Sequence, residues 1–95
     1  MDELEELRAR IDEIDAKLVE LFEKRMEISH KIALYKIAND MPITNDEREK
    51  EILNENIARL KDRSFEPKLV EFFSMLFKLS KEVQNEEFKK QTKYQ

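Results

Sequence analysis

The side chains of this sequence that could do chemistry stand where helical spacing asks for apolar residues, or border such positions. Arg25 falls in line with Leu4, Ile11, Leu18 and Ile32 along one helix face. A guanidinium there is costly unless paired. It either sets the register of a helix pair, packs its stem with its head in water, or serves an anion. Ser80 and Gln84 share a face with Phe73, Phe77 and Phe88, spaced i, i+4, i+7, i+11 and i+15 from Phe73. A glutamine between two phenylalanines is a buried amide in need of partners, structural or substrate-borne. Glu49 precedes Ile52 and Leu53 by three and four residues and turns inward with them, with Arg48 bordering the same stripe. First-turn ion pairing would account for both equally well. Lys36 follows Arg25 by eleven residues, three helical turns plus roughly 20°, so the two cations lie on one face with Cα atoms about 16 Å apart. Long side chains reaching toward each other over that distance leave room for a small dianion. Arg8 precedes Arg25 by seventeen residues, about 25 Å of helix. It can join the same ligand only from a second chain, across an antiparallel helix pair.

Together these residues gather cations, one carboxylate, one hydroxyl and one amide on inward faces. They suit a small polycarboxylate and a reaction without a covalent or proton-transfer step. Other chemistries lack their parts. The sequence has no cysteine and one histidine, His30, to which no role is assigned; disulfides, thiolate catalysis and Cys-based zinc sites are excluded. It has no glycine, hence no Gly-rich phosphate loop. The net charge of −4 argues against nucleic acid as a partner. The apolar runs are short and broken by charge, with no membrane span or signal peptide, so a cytoplasmic location is the expectation.

The elements that must position these side chains are helices. Charged residues make up 42% of the 95-residue chain, and the apolar set is mainly Leu, Ile, Phe, Met and Ala, the composition of long amphipathic helices. Leu4, Leu7, Ile11, Ile14, Leu18, Leu21, Ile28, Ile32 and Tyr35 alternate spacings of three and four, with Arg25 in the same seam. The pattern predicts one helix from near Asp2 to near Ala38, roughly 55 Å long, in a chain whose compact radius of gyration is about 12–13 Å. Its overhanging end exposes a bare apolar seam for a second copy to cover. Residues 39–43 break the helix around Pro42. Thr44 reads as the N-cap of a second helix with Glu47 closing a capping box, and that helix runs to about Lys61. Asp62 to Glu66 is a polar turn. Pro67 suits the first turn of a third helix, whose end frays over residues 85–95. One domain spans residues 1–95.

The order Leu7-Arg8-x2-Ile11-x2-Ile14-Asp15-x2-Leu18-x2-Leu21-x3-Arg25, then Lys36, Pro42-Ile43, Asp46-x-Arg48-Glu49 and Ser80-x3-Gln84, resembles the all-helical chorismate mutases over nearly the whole chain. The joint spacing of Arg8, Arg25, Lys36, Arg48, Glu49, Ser80 and Gln84 is the specific part. The resemblance implies an all-α fold of three helices per chain, intertwined as a homodimer with two sites. The activity it implies is the Claisen rearrangement of chorismate to prephenate, on the route to phenylalanine and tyrosine, without cofactor or metal. In that pattern Arg25, and Arg8 supplied by the partner chain, grip the two carboxylates, with Ser80 assisting and Arg48 supporting. Lys36 and Gln84 donate to the ether oxygen, and Lys36 also contacts a carboxylate. Glu49 accepts from the ring hydroxyl, helped by the backbone N–H near Asn45, where the bacterial pattern often has Asp. The absence of glycine and the heavily Glu/Lys/Leu surface are also what a designed member would show. Two alternatives stay open: an isochorismate–pyruvate lyase of the same fold, against which Glu49 counts, and a non-catalytic helical dimer module, which leaves Gln84, Ser80 and Arg25 unexplained.

Overall fold

The computed structural model describes residues 2–93, with side chains through Gln91. Helix α1 spans Glu3–Ala38, α2 Asp46–Ala58 and α3 Glu66–Lys93, with a 3-10 turn, Arg63–Phe65, leading into α3. No strand occurs among the described residues, and no helix is long and apolar enough to cross a membrane.

Helix α1 forms as its ends and periodicity dictate. Asp2 caps it by accepting from the Glu5 N–H at 2.8 Å. Glu3, Glu5 and Glu6 sit at its positive end and Lys36 at its negative end. It stops in a Schellman-type turn: Met41 N–H bonds back to Lys36 C=O at 2.8 Å and Asp40 N–H to Ile37 C=O at 3.4 Å. The turn requires a left-handed residue, and in a chain without glycine Asp40 takes it at φ 53°. Helix α2 starts one residue later than its sequence suggests. Asn45, not Thr44, is the N-cap and accepts from Arg48 N–H at 3.1 Å; both types cap well, and the register of the loop decides between them. The same helix ends at Ala58, short of Lys61. Asp62 opens the 3-10 turn by accepting from the Ser64 N–H at 2.9 Å and its hydroxyl at 2.7 Å, bonds that hold its carboxyl below the usual range. Pro67 falls in the first turn of α3, as expected. The fraying anticipated from residue 85 is not found as far as Lys93: Glu87 is buried against α1, which gives that stretch a tertiary anchor. Residues 94 and 95 lie outside the described part.

Helices α1 and α3 run in the same direction. Phe22 faces Phe73 across one groove, and seven residues on, Ser29 meets Ser80, with the offset in numbering kept. At this contact α1 presents Ser29 and Ala33, small and buried, and α3 buries Phe77. Phe73 packs between Phe72 and Phe77, with centroids 5.6 and 6.0 Å away.

Little else is buried. Ala33 and Phe77 are the buried apolar side chains among the described residues, and every described residue from Asp2 through Lys24 is exposed. The chain measures 60 × 27 × 15 Å with a radius of gyration of 17.2 Å. Its accessible surface is 8017 Å², against about 5,800 Å² for a compact monomer of this mass.

The Asp40 turn makes a direct test. Asp40→Gly removes the steric cost of the left-handed conformation and should stabilise the fold by about 0.5–1 kcal/mol, whereas Asp40→Val should destabilise it by about 1–2 kcal/mol. Urea midpoints at one fixed protein concentration read both.

Candidate active site

A cavity of about 350 Å³ opens where α1, the start of α2 and the middle of α3 meet. Its size is that of a small-ligand pocket. Helix α1 contributes Arg25 and Lys36, brought to one side by their eleven-residue spacing. The loop and first turn of α2 contribute Asn45, Arg48 and Glu49, and α3 contributes Ser80 and Gln84. Phe77, Ile28, Ile32, Ile43 and Ile52 supply apolar wall. Seven of the eight residues singled out in the sequence therefore share one cavity. The eighth, Arg8, does not. It lies on the overhanging arm of α1, exposed, about 25 Å along the helix from Arg25.

The cavity is a cationic enclave in an acidic chain. Its lining holds four cations, Arg25, Lys36, Arg48 and Lys81, against one carboxylate, Glu49. Two of the cations have acidic partners: Lys81 pairs with Glu49 at 3.3 Å and Arg48 with Glu51 at 3.1 Å. Lys36 donates to the Ile43 carbonyl at 2.7 Å, a neutral acceptor that fixes the ammonium without cancelling its charge. Two of its three donors remain for a ligand. Arg25 is half-buried with no ion pair or hydrogen bond among the described residues, and burial lowers its pKa. An arginine stays protonated regardless, so Arg25 is a partly desolvated charge without a counterion.

Gln84 is buried, at 6% exposure. Its Nε2 lies 3.5 Å from Ser80 Oγ, and its Oε1 is buried with no partner. Because the two ends of an amide are nearly isosteric, a half-turn of the group puts Nε2 where Oε1 stands and lets the Ser80 hydroxyl donate to the oxygen. One end of the amide is thus held by Ser80, and the other has no partner among the described residues.

Two wall residues were missed in the sequence. Lys81 shares a face with Phe77 and Gln84 at i, i+4 and i+7, so its position was readable; as one of many lysines it carried no signal. Ser29, four residues after Arg25, bonds Ser80 at 2.5 Å. Asn45 lies in the wall as well, but its side-chain oxygen is engaged in capping α2.

The fold and the site define a class: an all-helical domain whose helix faces form a cationic cavity of small-molecule size. The chain matches the chorismate mutase type II family profile over residues 7–85. It therefore belongs to the chorismate mutase type II family. It is also similar to a bifunctional chorismate mutase/prephenate dehydratase of Aquifex aeolicus (strain VF5), 42% identical over 60 residues, which is 63% of this chain and 16% of that protein. The chain thus spans about a sixth of the length of that relative.

The unpaired guanidinium yields a test. Arg25→Leu removes a desolvated charge and leaves apolar packing, so the variant should melt at or above the temperature of the parent while losing affinity for dicarboxylates. Thermal unfolding with and without a bicyclic dicarboxylate mimic of the transition state measures both; a clear drop in Tm without ligand would mean Arg25 has a structural partner.

Proposed function

We propose that this chain catalyses the rearrangement of chorismate to prephenate, a step toward phenylalanine and tyrosine, in a cavity completed by Arg8 of a second copy. The observation that carries the proposal is the convergence of Arg25, Lys36, Asn45, Arg48, Glu49, Ser80 and Gln84 on one cavity whose positive charge exceeds its negative charge.

The reaction is unimolecular: the ether C–O bond breaks as a C–C bond forms within the same molecule. Holding the compact reactive conformer removes much of the entropic barrier. Arg25 and the partner copy's Arg8 take the two carboxylates, for which the guanidinium fork is suited, with Ser80 and Arg48 supporting. Negative charge grows on the ether oxygen as its bond lengthens. Lys36, held by Ile43, and Gln84, held by Ser80, donate there, and preorganised donors stabilise the charge more in the transition state than in the ground state. Glu49, paired with Lys81, accepts from the ring hydroxyl. No residue is required to change protonation.

The bare seam supports a second copy. Leu4, Ile11, Ile14 and Leu21 are each more than half exposed, and the excess of roughly 2,200 Å² over a compact monomer is what an obligate interface buries. A groove of about 440 Å³ between the middle of α1 and the start of α3, lined by Leu18, Phe22, Phe72 and Leu76, continues the apolar surface to Arg25. An antiparallel copy seated there brings its Arg8 toward this cavity.

Complementation tests the assembly. Arg8→Ala and Arg25→Ala proteins should each be nearly inactive, and co-folded mixtures should recover about a quarter of parental activity, because half the dimers then hold one intact site. No recovery would place both arginines in one chain's site and overturn the shared cavity. Lys36→Ala should lose roughly 10²–10³ in kcat/KM, about 3–4 kcal/mol, in a continuous assay of chorismate loss. Across about pH 6–8 kcat should stay flat, since a glutamine donor does not titrate, whereas Gln84→Glu should gain activity only toward acid pH. Running the assay with isochorismate in parallel separates the mutase from a pyruvate lyase.

A further inference from the structure

Gln84 sits between two side-chain bridges that reach α3 from adjacent residues of α1. Ser29 Oγ meets Ser80 Oγ at 2.5 Å, one turn before Gln84. His30 Nε2 meets Glu87 Oε2 at 2.8 Å, nearly one turn after it. Glu87 is buried, and its other oxygen accepts from Gln91 at 3.0 Å. The Gln91 bond first, and the His30 bond second, keep its carboxyl below the usual glutamate range. A buried carboxylate is an expensive way to join two helices, and α1 and α3 already bury the apolar Ala33 and Phe77. What the two bridges add is direction. A rotation of α3 by about 10° moves a group about 5–6 Å from its axis by about 1 Å, a shift of the size that degrades catalysis by positioning.

We propose that His30 and Glu87 form a positioning pair which, with Ser29 and Ser80 on the other side, fixes the rotation of α3 and so aims the Gln84 amide into the cavity. The inference rests on the mutase reading of that cavity. His30 touches no substrate in it; it acts through Glu87 and the helix. With its proton on Nε2 the imidazole donates to Glu87.

A double-mutant cycle tests it with full-length parent, His30→Ala, Gln84→Ala and the double variant, read by kcat, KM and the Kd of the bicyclic dicarboxylate mimic, with sedimentation to check that assembly is unchanged. His30→Ala should lower kcat and mimic affinity about tenfold with KM within about twofold, and should change mimic affinity less than about twofold once Gln84 is already alanine. His30→Gln, whose amide reaches Glu87, should restore most of the loss; His30→Asn, which falls short, should not, and it replaces the alanine variant if that protein does not fold. Equal losses in both backgrounds, or a lowered Tm with kcat kept, would show that His30 is merely structural and overturn the inference while leaving the function standing. If Gln84→Ala itself keeps parental rate and affinity, the assignment of the cavity fails, and the positioning role fails with it.

Discussion

A helix of 36 residues cannot bury its apolar face against the rest of a 95-residue chain. At 1.5 Å per residue α1 is about 54 Å long, more than twice the radius expected of a compact fold this size. The second half of α1 bonds to α3 at Ser29 and His30, and most of the first half carries its leucines and isoleucines into solvent. The rest follows from that mismatch. The fold has almost no core of its own, its accessible surface exceeds that of a compact monomer of its mass, and Arg8 rides on a part of α1 that is exposed among the described residues.

The same economy shapes the cavity. An acidic protein concentrates four cations around a space of about 350 Å³ and gives two of them carboxylate partners. Arg25 bears the cost most plainly, half-buried and unpaired. A site that neutralised itself internally would be more stable and would hold a dianion less well. Functional sites commonly keep such unresolved interactions because the ligand resolves them. The unpartnered oxygen end of Gln84 is the neutral counterpart of the same arrangement.

Preorganisation here comes from ordinary helix contacts. The Ile43 carbonyl, in the loop that ends α1, holds Lys36. Asn45 caps α2 and so sets the turn that carries Arg48 and Glu49. Ser80 holds one end of Gln84. Lys36, the first turn of α2 and Gln84 are thus oriented by backbone geometry or by a neighbour one turn away, so a glycine-free helical chain can fix polar groups without a dedicated loop.

The sequence by itself determined the helices, because period and caps are local: α1 falls within a residue of its expected ends, and Pro67 marks the start of α3. It also determined which residues face inward, since Arg25 and Lys36, or Ser80 and Gln84, share a face wherever their helix lies. Where local signals compete, the chain alone could not decide. Thr44 and Asn45 are both good caps, and only the loop's path selects Asn45. Residues 85–93 look polar enough to fray, yet Glu87 anchors them through His30, a bond between residues 57 apart. The parallel alignment of α1 with α3, the Lys81–Glu49 pair and the bracket around Gln84 were settled by tertiary structure, because each depends on how two helices are rotated against one another, and no periodicity within a single helix records that angle.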